Sequence, residues 1–118
     1  MEPEELAKRC ATLAADKKAE GIVVLDLRDI STLTDFFVIC SGTSEPQLKA
    51  IAGEIEVRLR KEDSVRPAAV DGFPTSQWIV LDYLQVIVHI FHAEKRDFYA
   101  LEDLWSDAPH LQIKGVTA

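Results

Sequence analysis

Hydrophobic residues in this 118-residue chain occur either at helical spacing or in short continuous runs. Each such segment predicts a helix or a strand. Apolar residues recur every three or four positions within 3–18 and 44–64, and this spacing predicts two amphipathic helices. A β-branched apolar run at 22–27 predicts a buried strand, and the unbroken apolar run at 36–40 predicts a strand that is buried on both faces of a sheet. A shorter run at 65–70 contains a proline, which is typical of an edge strand.

The last third of the chain has the pattern of a hairpin followed by a helix. Residues 77–82 and 86–91 predict two strands joined by a short turn, and a helix is expected from about residue 94 to 105. Residues 107–118 show no clear period and are interpreted as a tail on a core of about 4–106. The order α-β-β-α-β-β-β-α predicts a single α/β domain spanning 1–118, with one mixed β-sheet and helices packed on its faces.

The charge balance narrows the class of partner. The chain carries 20 acidic and 13 basic side chains, for a formal net charge of −7. Direct reading of nucleic acid is not expected, because binding to phosphates requires a basic surface. An acidic surface is better suited to a basic protein partner. No apolar run approaches the roughly 18 residues of a membrane span, and the acidic N-terminus does not resemble a secretory signal, so we expect a cytoplasmic protein that does not contact membranes.

The segment Ser-Gly-Thr-Ser at 41–44 lies between a predicted strand and a predicted helix, where free backbone N–H groups could hold a phosphate. It lacks the lysine and the glycine spacing of a P-loop, and no paired acids follow on a strand to hold magnesium. Helix capping by Ser44, with Gln47 as its capping-box partner, explains these residue types. We therefore predict no catalytic residues and no cofactor. A small nucleotide-binding or nucleotidyltransferase-like enzyme, using Asp26 or Asp35 for magnesium, is the enzymatic alternative.

Cysteine and histidine do not form a recognisable chemical site in the sequence. Cys10 and Cys40 lie in apolar patterns and belong to no Cys-x-x-Cys pair, so buried thiols are expected. His89 and His92 are three residues apart, but positions i and i+3 of a strand point to opposite faces. We predict no metal site, and His89 is interpreted as a structural histidine on the face opposite to its two neighbours.

A specific string of residues runs through the hairpin and the helix after it. Its members are Trp78, Asp82-Tyr83, Val86, Val88-His89, Arg96, Tyr99, Leu101-Glu102 and Leu104-Trp105. The same residue types recur in the same order in the ribosomal silencing factor family, also called the Iojap-related family, and the chain resembles that family. Further matches lie at 24–28, 31–39 and 41–44, so the resemblance extends from about residue 6 to 109.

The resemblance implies a fold and a function. The implied fold is similar to nucleotidyltransferases but lacks their catalytic acids. The implied function is translational repression when nutrients are scarce, with no enzymatic activity. Proteins of this kind bind the large ribosomal subunit through its universal L-fourteen protein on the intersubunit face, and their bulk sterically blocks joining of the small subunit.

The candidate partner-binding residues combine the resemblance with the residue types that are enriched at interface centres. They are Trp78, Asp82, Tyr83, Arg96 and Tyr99. Asp82 offers charge to a basic partner, and Arg96 offers a planar fork of donors. A third hypothesis, beside the repressor and the enzyme, is a homodimeric scaffold that uses an exposed sheet edge.

The clearest departure from the family lies in the turn after Tyr83. The chain has Leu84-Gln85 where the family usually has Gly-Asp. Loss of the glycine disfavours a turn with positive φ, and loss of the acid removes a charge beside the candidate site. The sequence therefore predicts either a reshaped turn or an altered partner surface.

Overall fold

The computed structural model describes residues 1–72, 77–99, 106–113 and 115–116, with the side chains of 97–99 excepted. Its elements are α1 (Pro3–Asp16), β1 (Glu20–Asp26), β2 (Phe36–Gly42), α2 (Glu45–Asp63), β3 (Ala69–Asp71), β4 (Trp78–Asp82), β5 (Val86–His92) and α3 (Ala93–Tyr99). This is the predicted order. The rest of the predicted last helix, residues 100–105, lies outside the described part of the chain.

The strands form a five-stranded sheet in the order β1-β2-β5-β4-β3. β2 and β5 are parallel, and the other neighbours are antiparallel, so the prediction of one mixed sheet is confirmed. β3 lies at the edge, as the proline in this run predicts. The strand is shorter than the predicted 65–70, since Pro67 has no N–H to donate and ladder pairing begins only at Ala69.

The two long helices pack on one face of the sheet, which we call the helical face. Their buried stripes are Leu6, Cys10, Leu13 and Ala14 in α1 and Leu48, Ile51, Ala52, Ile55 and Leu59 in α2, as predicted. Full burial of each Leu or Ile side chain contributes about 1.5–3 kcal/mol. Arg9 of α1 also pairs with Glu62 and Asp63 at the end of α2. The helices are therefore joined to each other as well as to the sheet.

The start of α2 is capped, although one of the two bonds differs from the prediction. Ser44 Oγ accepts a hydrogen bond from the Gln47 N–H at 3.2 Å, which confirms the cap. The Gln47 side-chain oxygen reaches past Ser44 and accepts from the Thr43 N–H at 2.7 Å. Its Nε2 donates to the carbonyls of Lys17 and Lys18. Gln47 thus ties the beginning of α2 to the end of α1.

The connection from α1 to β1 turns at a lysine rather than at the nearby Gly21. Lys18, with φ +64°, is the left-handed residue after α1, and β1 already begins at Glu20. Gly21 lies within β1, where the register with β2 shifts between Glu20 and Val23. Its φ of +55° is the left-handed conformation that a bulged strand often assigns to glycine.

The segment interpreted as a tail pairs with the outer edge of β1. The Asp26 N–H donates to the Pro109 carbonyl at 2.8 Å, and the Leu111 N–H donates to the Val24 carbonyl at 2.9 Å. Leu111 and Ile113 pack against the core. Residues 109–111 therefore cover the edge of the sheet at β1.

Candidate partner-binding surface

The face of the sheet opposite α1 and α2, which we call the second face, is only partly covered. α3 packs against β5 and β2, and Leu25, Ile39 and Phe91 of this face are buried. Strand alternation places another set of apolar side chains on the same face, and these are only half-buried. They are Phe37 of β2, Ile87 of β5, and Trp78 and Val80 of β4, which together we call the half-buried strip. An apolar surface that stays open is typical of an interaction site.

The Trp78 side chain is held in one orientation within this strip. Its indole Nε1–H donates to His89 Nδ1 at 3.1 Å. The ring also stacks on Phe91, with centroids 5.0 Å apart and planes 26° apart. Trp78 opposes Phe91 in the antiparallel β4–β5 pair, a position where aromatic cross-strand pairs stabilise a sheet. The predicted site residue is therefore half-buried and oriented.

His89 lies beneath the strip and is only 6% exposed. Its ring meets Phe37 edge to face at a centroid distance of 4.6 Å. Burial lowers the pKa of His89 to about 4, so the imidazole is neutral near pH 7. Because Nδ1 accepts from Trp78, the proton of the neutral ring is on Nε2, which is buried with no hydrogen-bond partner among the described residues. The Nδ1 hydrogen bond agrees with the interpretation as a structural histidine, while the described residues offer no partner to Nε2.

Acidic side chains border the strip on its β3 and β4 side. Register places Asp71 beside Val80 and Asp82 beside Ile87 on the second face. A shallow, open depression is lined by Asp71, Gly72, Trp78 and Val80. The second face therefore combines aromatic and aliphatic groups with carboxylates, a composition suited to a partner that offers both apolar and basic groups.

The turn between β4 and β5 keeps the conformation that a glycine would favour. Asp82 Oδ1 accepts from the Leu84 N–H at 2.8 Å, and Leu84 has φ +71° with its side chain 65% exposed. The sequence predicts either a reshaped turn or an altered partner surface at Leu84-Gln85. The turn keeps a positive φ at Leu84, so its backbone is not reshaped. The departure instead places an exposed leucine next to Asp82.

Of the other predicted contact residues, Tyr83 lies on the face opposite to Trp78 and Asp82, and Arg96 is hydrogen-bonded to the sheet. Tyr83 is 7% exposed and points to the helical face, where burial raises the pKa of its hydroxyl. Arg96 Nη1 donates to Ser41 Oγ at 2.9 Å and to the Glu20 carbonyl at 3.5 Å, so it links α3 to β2 and β1. The side chain of Tyr99 lies outside the described residues.

Sequence reasoning missed Phe37, Val80 and Ile87. The unbroken apolar run at 36–40 predicts burial on both faces, which is right for its other members but wrong for the half-buried Phe37. No local sequence signal identifies these residues, because the register between strands is what places them on one face. Phe37 pairs with Ile87, and the adjacent β4 brings Val80 opposite His89.

Asp26, Cys40 and His92 are the described groups that could otherwise support a chemical site, and they are hydrogen-bonded or buried. Asp26 accepts from Arg28 Nε at 2.9 Å, and this hydrogen bond lowers the pKa of the carboxyl group. Burial raises the pKa of the Cys40 thiol to about 12, which keeps it protonated and weakly nucleophilic. The His92 Nδ1 accepts from the Glu94 N–H at 3.2 Å. Within the described ranges, no three potential ligands come together to hold a metal ion.

Comparison with known proteins identifies the family. The model for the family described as "Ribosomal silencing factor during starvation" matches residues 1–118. The chain belongs to the ribosomal silencing factor family. It is 39% identical over 116 residues to ribosomal silencing factor RsfS of Halalkalibacterium halodurans, covering 98% of each protein. It is 34% identical over 107 residues to the chloroplastic protein Iojap of Arabidopsis thaliana, covering 91% of this chain and 44% of that longer protein.

Solved structures support the same fold. A crystal structure of a Chromobacterium violaceum protein superposes with a TM-score of 0.85 at 29% identity, covering 100% of this chain and 94% of that one. A second, from Bacillus halodurans, gives a TM-score of 0.80 at 36% identity over 93% of this chain and 99% of that one. The predicted α/β fold and the predicted family are therefore both confirmed. In the part of the chain that the structure describes, no helix has the length and apolarity to cross a membrane.

Proposed function

We propose that this chain is a translational repressor that binds the large ribosomal subunit and blocks joining of the small subunit. Membership of the family makes it a regulatory factor of the ribosome, and the family is named for silencing rather than for a reaction. The observation that carries the finer proposal is the half-buried strip on the second face, with its oriented Trp78 and its acidic border. A ribosome-binding factor works where ribosomes are, and we place it in the cytoplasm.

The partner we propose is the universal L-fourteen protein on the intersubunit face of the large subunit. A chain of net charge −7 is repelled by RNA phosphates and attracted by a basic protein, so charge steers it toward ribosomal protein rather than ribosomal RNA. Asp71 and Asp82 would meet basic side chains at the border of the contact. The half-buried strip would supply its apolar centre, where aromatic residues dominate binding energy.

Occlusion follows from size once binding is achieved. The molecule measures 35 × 34 × 27 Å along its principal axes. Two ribosomal surfaces that must come into contact cannot do so around a body of these dimensions. No bond is made or broken, so the strength of repression depends only on the affinity for the large subunit and on the concentration of the factor.

Co-sedimentation with purified large subunits tests the proposed contact. The double variant Trp78→Ala/Asp82→Lys should lose most of its binding, since it removes an aromatic anchor and reverses a border charge. Glu5→Lys is the control for charge reversal. Glu5 lies on α1, on the opposite side of the sheet from the proposed contact, so this variant should bind like the wild type. Equal binding by the double variant, with its fold intact by circular dichroism, would overturn the assignment of this surface. Parallel measurements with isolated L-fourteen protein decide whether that protein is sufficient.

A further inference from the structure

The polar group at position 89 is not explained by packing. His89 sits among the aromatic rings of Phe37, Trp78 and Phe91, an environment that a leucine could fill without desolvating a polar group. Its Nε2 stays buried with no hydrogen-bond partner in the described part of the chain. Among the described residues, the ring's hydrogen-bond partner is the half-buried Trp78, which donates to Nδ1. The buried imidazole therefore gives Trp78 a hydrogen-bond acceptor that an apolar side chain could not provide.

Contacts on both sides of the ring connect the two aromatic members of the half-buried strip. Nδ1 holds the indole N–H of Trp78, and the ring packs edge to face against Phe37. His89 lies on β5, between β2, which carries Phe37, and β4, which carries Trp78. One buried side chain at the centre of the sheet thus sets the geometry of aromatic groups on both neighbouring strands.

We propose that His89 is a positioning residue for partner binding. It holds the indole of Trp78 in the orientation that the partner contacts. The binding rotamer of Trp78 is therefore already fixed in the free protein. Ordering a side chain in advance removes its entropic cost from the binding step. This role rests on the proposed function, because Trp78 must belong to the contact for its orientation to matter.

Two matched substitutions separate the hydrogen bond from the packing. In His89→Asn, the amide can present an oxygen near the position of Nδ1 and accept from Trp78. In His89→Gln, the amide lies near the position of Nε2, so the acceptor for Trp78 is lost while a polar side chain is retained. His89→Leu replaces the imidazole with an apolar side chain, so both the acceptor for Trp78 and the polarity at this position are lost.

The first readout is the indole N–H resonance of Trp78 in ¹⁵N-labelled protein. The chain has two tryptophans, and Trp105→Phe assigns the two signals. In the wild type and in His89→Asn, the Trp78 N–H should be shifted downfield and protected from exchange with solvent. In His89→Gln and His89→Leu, it should move upfield and exchange faster.

The second readout is affinity for purified large ribosomal subunits. Loss of the indole's fixed orientation should weaken binding roughly three- to tenfold in His89→Gln and His89→Leu, the range expected for ordering one side chain. His89→Asn should recover most of that affinity. Wild-type binding by a folded His89→Leu would overturn the positioning role, and so would weak binding by His89→Asn with an unchanged indole signal. If the wild type does not bind large subunits, that result contradicts the proposed function, and the positioning role of His89 is then contradicted as well.

Discussion

Acid should destabilise this protein through His89 in a defined pH range. The ordinary pKa of the imidazole is 6.5, and in the folded protein burial lowers it to about 4. The described rings around it, those of Phe37, Trp78 and Phe91, carry no charge that could compensate a protonated imidazole. The unfolded chain therefore binds a proton below pH 6.5 that the folded chain resists until about pH 4.

The sign and size of the effect follow from this difference. The contribution of neutral His89 is fully present above pH 6.5 and is lost as the pH falls toward 4. At about 1.4 kcal/mol for each pKa unit, the total loss is roughly 3 kcal/mol, a large fraction of the stability of a small domain.

Urea unfolding at several pH values between 7.5 and 4 would measure this loss, with His89→Asn as the reference because its amide does not titrate. The gap in unfolding free energy between the two proteins should shift in favour of the variant as the pH falls, mostly below pH 6.5. Carboxylates such as Asp26 titrate in both proteins and cancel in the comparison. A gap that does not change with pH would refute the view that His89 is buried and neutral.

Further outcomes are expected at four single positions. Gly72 has φ +102°, and a Cβ there would lie 2.2 Å from the Trp78 carbonyl oxygen, so Gly72→Ala should cost about 2 kcal/mol in urea unfolding, a typical cost of backbone strain. Gly53→Ala is the matched control in the middle of α2, where a Cβ meets nothing within 4 Å, and should stabilise by about 0.5–1 kcal/mol. Leu84→Gly should stabilise by about 1 kcal/mol in the same assay, because it relieves a leucine at φ +71°, and no gain would contradict that backbone conformation. Cys40 should resist alkylation in the folded protein at pH 8 and react on unfolding, as followed by peptide mass spectrometry; rapid labelling of the folded form would contradict its burial and the raised thiol pKa.

The helices and the order of the elements could be predicted because their signals are local. The apolar stripe of α2, with Leu48 and Ile55 buried, and the cap at Ser44 depend on neighbours within one or two turns. The edge position of β3 could be predicted from Pro67, since its missing N–H is a property of that residue alone. The family could be recognised because its ordered string of residues is also a local pattern in the sequence.

The composition of the surface could not be predicted, because it depends on pairing between distant strands. Tyr83 follows Asp82 directly, yet the two side chains point to opposite sides of the sheet, and the residue string cannot show which side stays open. Phe37 lies in an apolar run that hides the alternation of faces. The pairing of 109–111 with β1 joins segments far apart in the sequence and leaves no local pattern.

Joining of purified ribosomal subunits in the presence of this protein tests the central claim most directly. Large and small subunits would be mixed after incubation of the large subunits with increasing amounts of protein, and joined ribosomes would be quantified on density gradients. We predict that joined ribosomes decrease as the protein saturates the large subunits, and that Trp78→Ala/Asp82→Lys leaves joining intact while Glu5→Lys represses it. Undiminished joining by subunits that carry the bound wild-type protein would contradict steric occlusion.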